Sequence, residues 1–194
     1  MSREGDFKRN IEALLSQAAE GDERAWRDLI EAYSGRVFGL IRAQCGDAEL
    51  AEEITQSTFC TIAAKIESYT EVGRFEPWIF RIAMNRLRDE MRRRKRQARP
   101  VGDDALVGLA GATRDPRPEE NFDEEHLADL RQAMSRLSAA DQRIIHLRHY
   151  AGLSFRQIAE VLDQPLGTVL ARQHRALKKL RELMGTQIDE EETN

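Results

Sequence analysis

Two groups of side chains in this chain are of types that bind a polyanion. Arg86–Arg99 reads RLRDEMRRRKRQAR, eight bases against two acids. A helix carrying such a run can neutralise successive phosphates, the main sequence-independent source of affinity for nucleic acid. Six bases fall within Arg92–Arg99 alone, too many of one sign to be held without a partner anion. The second group lies in LSFRQIAEVLDQPLGTVLARQHRALKKL, Leu153–Leu180. At 100° per residue, Gln173, Ala176 and Leu180 fall within about 40° of Val169. Ala171, His174, Arg175 and Lys178 take the opposite side, and Leu170, Leu177 and Lys179 the flanks. That helix therefore has an apolar back and a polar, partly basic front. A short helix capped by Ser154 and a DQP turn deliver it, with Ile158, Ala159 and Leu162 on the short helix's inner face. Proline at the start of the next helix suits the turn. A helix-turn-helix has this form, and its second helix enters the major groove by its N-terminal half.

Other chemistries find little support. His146 and His149 are three residues apart, but no carboxylate or cysteine lies nearby at ligand spacing. Both are expected as partly exposed polar positions. Cys45 and Cys60 match no metal-ligand spacing and are expected as buried thiols. No glycine loop that cradles phosphate and no activated nucleophile is present. Neither catalysis, a cofactor nor a metal is expected. No apolar run reaches the length of a membrane span. The start, MSREGDFKRN, lacks the apolar core of a signal peptide, so a cytoplasmic protein is expected. The net charge of −4 conceals an uneven distribution. Acids collect in DPRPEENFDEE and in the terminal DEEE, away from the basic runs, and local faces decide whether a polyanion docks.

The elements that must position these groups are helices. Ile11, Leu14, Leu15 and Ala18 give a first amphipathic stretch that Gly21 stops. Asp22 can cap a second helix with Ala25, Trp26, Leu29, Ile30 and Tyr33 on its apolar side. Ser34 can cap a third, with Val37, Phe38 and Ile41 inward. A fourth starts near Asp47 and carries Leu50, Ile54, Thr58 and Ile62. The fifth begins near Glu76–Pro77, is lined by Trp78, Ile79, Ile82, Ala83 and Leu87, and runs out into the arginines. Gln97–Glu125 holds three of the five prolines and no helical period, which predicts a flexible acidic linker. A second helical block follows: Leu127–Leu137, then a helix capped by Ser138 with Ile144, Ile145 and Leu147 inward and ended by Gly152, then the two helices above. The expected architecture is all-α. Two small helical domains, 7–96 and 126–184, are joined by a flexible linker at 97–125 and followed by an acidic tail at 185–194.

Three motifs in this order, DAELAEEITQSTF, WIFRIAMNRLRDEMRRR and the Leu153–Leu180 stretch, resemble regions two and four of bacterial RNA polymerase sigma factors of the sigma-70 family. With little between the blocks, the chain resembles the small extracytoplasmic-function (ECF) type. The resemblance covers roughly Ala25–Arg96 and Leu127–Leu183. It implies a factor that binds core RNA polymerase and directs promoter recognition, melting and initiation. Its partners would be the polymerase (the largest-subunit clamp coiled coil and the flap), promoter DNA and an anti-sigma factor, with no membrane.

Residue by residue, Glu53, Ile54, Gln56 and Phe59 resemble the surface that grips the clamp. Arg81, Asn85, Arg88, Asp89, Arg92, Arg93 and Arg96 resemble the segment that holds the −10 element, and Tyr69–Arg74 the loop that pockets a flipped base. Thr168, Leu170, Ala171, Arg172, His174, Arg175 and Lys178 fall on the helix that resembles the −35 reader. The chain departs from the family pattern at Leu170 and Leu177, where bases are usual, at Ala171, where serine is, and at Gln173, where an apolar residue is. Ser57 replaces an acid and Ser138 a proline. A free-standing helix-turn-helix regulator is the rival, but it needs a dimer surface that the N-terminal block does not offer.

Overall fold

The computed structural model describes residues 3–70, 73–97 and 124–191, and among these every regular element is helical. In chain order they are α1 (Arg3–Ala19), α2 (Glu23–Cys45), α3 (Ala48–Lys65), a 3₁₀ turn (Ile66–Ser68), α4 (Phe75–Gln97), α5 (Glu124–Ser135), α6 (Ala139–His149), α7 (Phe155–Leu162) and α8 (Leu166–Glu191). The expected linker falls almost wholly outside the described residues.

The helix starts follow local chemistry. The Asp22 carboxylate accepts from the Arg24 and Ala25 amides at 2.7 and 2.9 Å, and Asp47 accepts from Leu50 at 3.1 Å. Each satisfies amides that a first turn leaves without partners. Ser138 caps α6, and Ser154 with Gln157 forms a reciprocal capping box on α7. Gly46 closes α2 at φ +72°, a left-handed conformation that costs glycine little.

α2 differs from expectation. It runs unbroken through Ser34 and Gly35, and Ser34 caps nothing. Leu29, Tyr33, Val37, Leu40 and Ile41 share one buried face across that point. Burying a large apolar side chain contributes about 1.5–3 kcal/mol, more than the roughly 1 kcal/mol that a mid-helix glycine costs. Ile30, expected inward, is exposed on the other side. α8 also continues past Met184 to Glu191, through much of the expected acidic tail.

α1, α2, α3 and α4 pack together, and α5, α6, α7 and α8 form the second group. The two groups are in contact. α7 lies against α4 and α6 against α2, and a single buried cluster runs from Leu15, Leu29 and Phe80 to Leu147, Leu153, Ile158 and Val169. Ala133, Leu137, Ile145, Ala176 and Leu180 form a smaller cluster under α8. This contact overturns one expectation. His146 is buried, not partly exposed, because α2 covers it: Gln44 Nε2 donates to its Nδ1 at 2.8 Å. Cys45 is buried as expected, whereas Cys60 is exposed. On α3 it lies some 200° round from the inward Thr58 and Ile62, which are both buried.

Candidate nucleic-acid interface

α4 sorts its bases into two sets. Ile79, Phe80, Ala83, Met84 and Leu87 are buried and fix its rotation. Arg81, Asn85, Arg88, Asp89, Arg92, Arg93 and Arg96 are all exposed. At 100° per residue their recurrence at three- and four-residue steps puts most of them along one side. Arg86 and Arg94 instead tie α4 to its neighbour. Arg86 donates to Thr61 Oγ1 at 2.7 Å, and Arg94 pairs with Asp47 at 3.1 Å and Glu90 at 3.0 Å. Arg93 also pairs with Glu90, at 2.7 Å. These pairs hold the Glu90 carboxyl below its usual range, chiefly through Arg93; Asp47 is lowered first by the Leu50 amide and then by Arg94. The acids of this region therefore occupy Arg93 and Arg94, while among the described residues no ion pair engages Arg92 or Arg96.

At the start of α4, Tyr69 stacks on Trp78 with ring centroids 4.3 Å apart and planes 18° off parallel. Phe75 packs edge-on against Tyr33 and Tyr69. Trp78 is thus half in the core, with one face given to Tyr69. The aromatic set anchors both ends of the Tyr69–Arg74 loop, whose middle residues fall outside the described ones.

α8 shows the expected faces. Val169, Gln173, Ala176 and Leu180 are buried, and Ala171, His174, Arg175 and Lys178 are exposed. Thr168 and Arg172 are intermediate, and Arg172 lies 3.8 Å from Asp141 of α6. Leu170 and Leu177 are each 43 % exposed, as is Leu166 at 37 %, so one flank of the front is apolar. The turn holds Asp163 in the left-handed region at φ 52°, and the Thr168 and Val169 amides donate to the Pro165 carbonyl, which places proline just before the helix. Gln173 Oε1 is buried and meets no partner. An unmet buried acceptor is costly, so Gln173→Leu is expected to raise stability by about 1–2 kcal/mol. Urea unfolding with an unchanged m-value checks it.

On α3, Glu53 and Gln56 are exposed and Phe59 is intermediate, but Ile54 is buried with 5 % exposure. Ile54 lies beneath that surface. Among the described residues there is no group of three or more His, Cys, Asp or Glu side chains that could hold a metal ion. No described helix is long and apolar enough to cross a membrane.

One neighbour of the arginine face is beyond the reach of sequence spacing. Arg143 of α6 senses the charge of Arg88 of α4. Burial first, and then the charge of Arg88, lower the affinity of Arg143 for its proton. Arg143 Nε is buried without a partner.

Residues 29–97 match the family profile of sigma-70 region 2, and residues 133–182 that of sigma-70, region 4. The chain is similar to the ECF RNA polymerase sigma factor SigE of Mycolicibacterium smegmatis, 33 % identical over 173 residues. That match covers 86 % of this chain but 65 % of SigE, so the chain spans a little under two thirds of that relative. It is also similar to the RNA polymerase sigma factor NccH of Alcaligenes xylosoxydans xylosoxydans, 30 % identical over 175 residues that cover 89 % of this chain and 94 % of NccH. In fold it is similar to CnrH in complex with the cytosolic domain of CnrY, with TM-score 0.66 and 22 % identity over 90 % of this chain and 97 % of CnrH. With both regions matched in order and a relative of nearly equal length, the chain belongs to the sigma-70 family of RNA polymerase sigma factors, in its extracytoplasmic-function group.

Proposed function

We propose that this chain binds core RNA polymerase and directs it to a specific set of promoters, where it promotes strand opening and initiation. The division of the α4 arginines supports this best: Arg86 and Arg94 brace the helix, while Arg88, Arg92 and Arg96 stay on its open side. A basic track of that kind suits a single-stranded backbone, and a neighbouring loop can trap an unstacked base. Capture of the open strand then drives melting without nucleotide hydrolysis, so no catalytic group is required of this chain. Arg81, Asn85 and Asp89 complete the −10 face.

The −35 reading falls to the front of α8. Ala171, His174, Arg175 and Lys178 lie along it, with Leu170 on one flank and Thr168 and Arg172 on the other. Leu170 and Leu177 offer no phosphate contact where charged residues would, so this half relies more on base edges and apolar contact than on charge. Glu53, Gln56 and Phe59, seated on Ile54, form the surface for the polymerase clamp, and the second block meets the flap. The two functional units are 7–96 and 126–184. The segment 97–125 tethers them, raising the effective concentration of the second contact once the first is made. The protein works in the cytoplasm, where the polymerase is. CnrH was solved with the cytosolic domain of CnrY bound, and an anti-sigma partner of that kind is proposed for this chain.

Run-off transcription with purified core polymerase across a promoter library tests the proposal. Initiation at defined sites only when this chain is added is the expected result, and its absence at every site would end the proposal. Arg175→Ala in the same assay is expected to cost about 1–3 kcal/mol of −35 discrimination. Promoters lacking that element should be little affected; an equal loss on them counts against the assignment of α8.

A further inference from the structure

We propose that an Arg36–Glu76–Gln157 clasp holds the helix-turn-helix closed against α4 and so restrains DNA binding by the free chain. The inhibitory part rests on the promoter-binding reading above; the clasp itself does not.

The geometry centres on one guanidinium. Arg36 of α2 pairs with Glu76 Oε1 of α4 at 2.7 Å. Its Nε donates to the Ala151 carbonyl at 3.2 Å, and its Nη2 donates to the same oxygen. Tyr33 and Phe80 lie beneath it, with ring centroids 5.1 and 5.3 Å from the guanidinium carbon. The other Glu76 oxygen accepts from Gln157 Nε2 of α7 at 3.0 Å. Thus one arginine and one carboxylate of the N-terminal group hold the α6–α7 connection and the first turn of α7. The loop meets them closely: Gly152 stands at φ +67°, and a Cβ there would lie 3.4 Å from Arg36 Nη2.

The closed arrangement engages two arginines at or beside the −10 face. Arg81, first in the −10 face, donates to the Glu160 carbonyl of α7, and Arg74 lies 3.8 Å from the Glu160 carboxylate. In a docked helix-turn-helix the first helix crosses the DNA backbone, yet α7 here is packed on α4. A strand bound along α4 and a duplex crossed by α7 therefore compete with the clasp for the same surfaces. Binding by a chain that is mostly closed is weakened by the fraction that is open.

Gln157→Glu isolates the clasp. Glutamate serves as well as glutamine in the capping box, so α7 keeps its start, but it sets a carboxylate against Glu76. The separation between the two groups is read by energy transfer in the free chain, between a dye on the exposed Cys60 and one on Arg181→Cys. The expected result is a longer separation in Q157E and a return toward the wild-type value in Q157E/E76Q, where the amide introduced on α4 donates to the carboxylate introduced on α7. Unlabelled Q157E is expected to bind oligo(dT) several-fold to about tenfold more tightly than wild type at the same salt. An unchanged separation in Q157E, with circular dichroism showing native helix, overturns the clasp. A longer separation without tighter oligo(dT) binding overturns its restraining role. Failure of run-off initiation by wild type and Q157E alike would count against the promoter function, and the separation is measured independently of it.

Discussion

Alanine at Arg92, Arg93 and Arg96 together is expected to lower open-complex formation about tenfold or more and to reduce its log–log salt slope by about 2. Each phosphate contact on a single strand contributes roughly 0.7 to that slope, so three contacts, with Arg93 exchanging Glu90 for a phosphate, set the figure. Stability should hardly change. All three side chains are exposed, and Glu90, released by Arg93, still has Arg94. Lysine at the same positions keeps the charge and should keep most of the slope. Fluorescence of a base analogue in the opening region, followed against salt with core polymerase present, makes the measurement. A triple-alanine chain with an unchanged slope would show that the strand lies elsewhere.

His146 supplies the second large effect, on stability and its dependence on pH. Burial, and then the charge of His149, hold its imidazole at about 4, against an ordinary 6.5. The unfolded chain therefore binds more protons than the folded chain between those values, and stability falls as pH drops from 6.5 to 4. Above 6.5 the contribution is fully present. Its size is roughly 3 kcal/mol at the acid end, a large share of a typical domain's total. Gln44 donates to Nδ1, an interaction only the neutral ring accepts. His146→Gln cannot titrate, so the difference in unfolding free energy between wild type and H146Q should shrink or reverse on acidification. Urea unfolding at pH 7 and pH 4.5 checks this, and parallel curves for the two chains would exclude His146 as the source.

What could be read from the sequence and what could not divide along the same line as local and distant interactions. Asp22, Ser138 and Ser154 were legible as caps, and Asp47 as a helix start, because a cap needs only its own first turn. The four-residue stripe of α8 was legible because a helical period records which side faces inward. Ser34–Gly35 misled because the local signal for a break was outweighed by one continuous buried face. His146 misled for a different reason: its own helix leaves it at a boundary, and only α2, about a hundred residues earlier, decides its burial. The arginines of α4 were visible as a charged run, but the separation of bracing from open side chains required Thr61 and Asp47 in place. Ile54 was placed on a surface by resemblance and is buried in the structure. Arg36 gave no signal, since a lone arginine in an amphipathic helix is ordinary until Glu76 and Ala151 are brought to it.

The two cross-links between α3 and α4 have a mechanical consequence. Thr61 near the end of α3 meets Arg86, and Asp47, just before α3, meets Arg94. The helices thus run in opposite directions, riveted at points eight residues apart on α4, about 12 Å of axis. Two fastenings at that spacing resist both sliding and pivoting, which one could not. A load on the outer side of α3 is then expected to reach the arginine-bearing end of α4 through both fastenings.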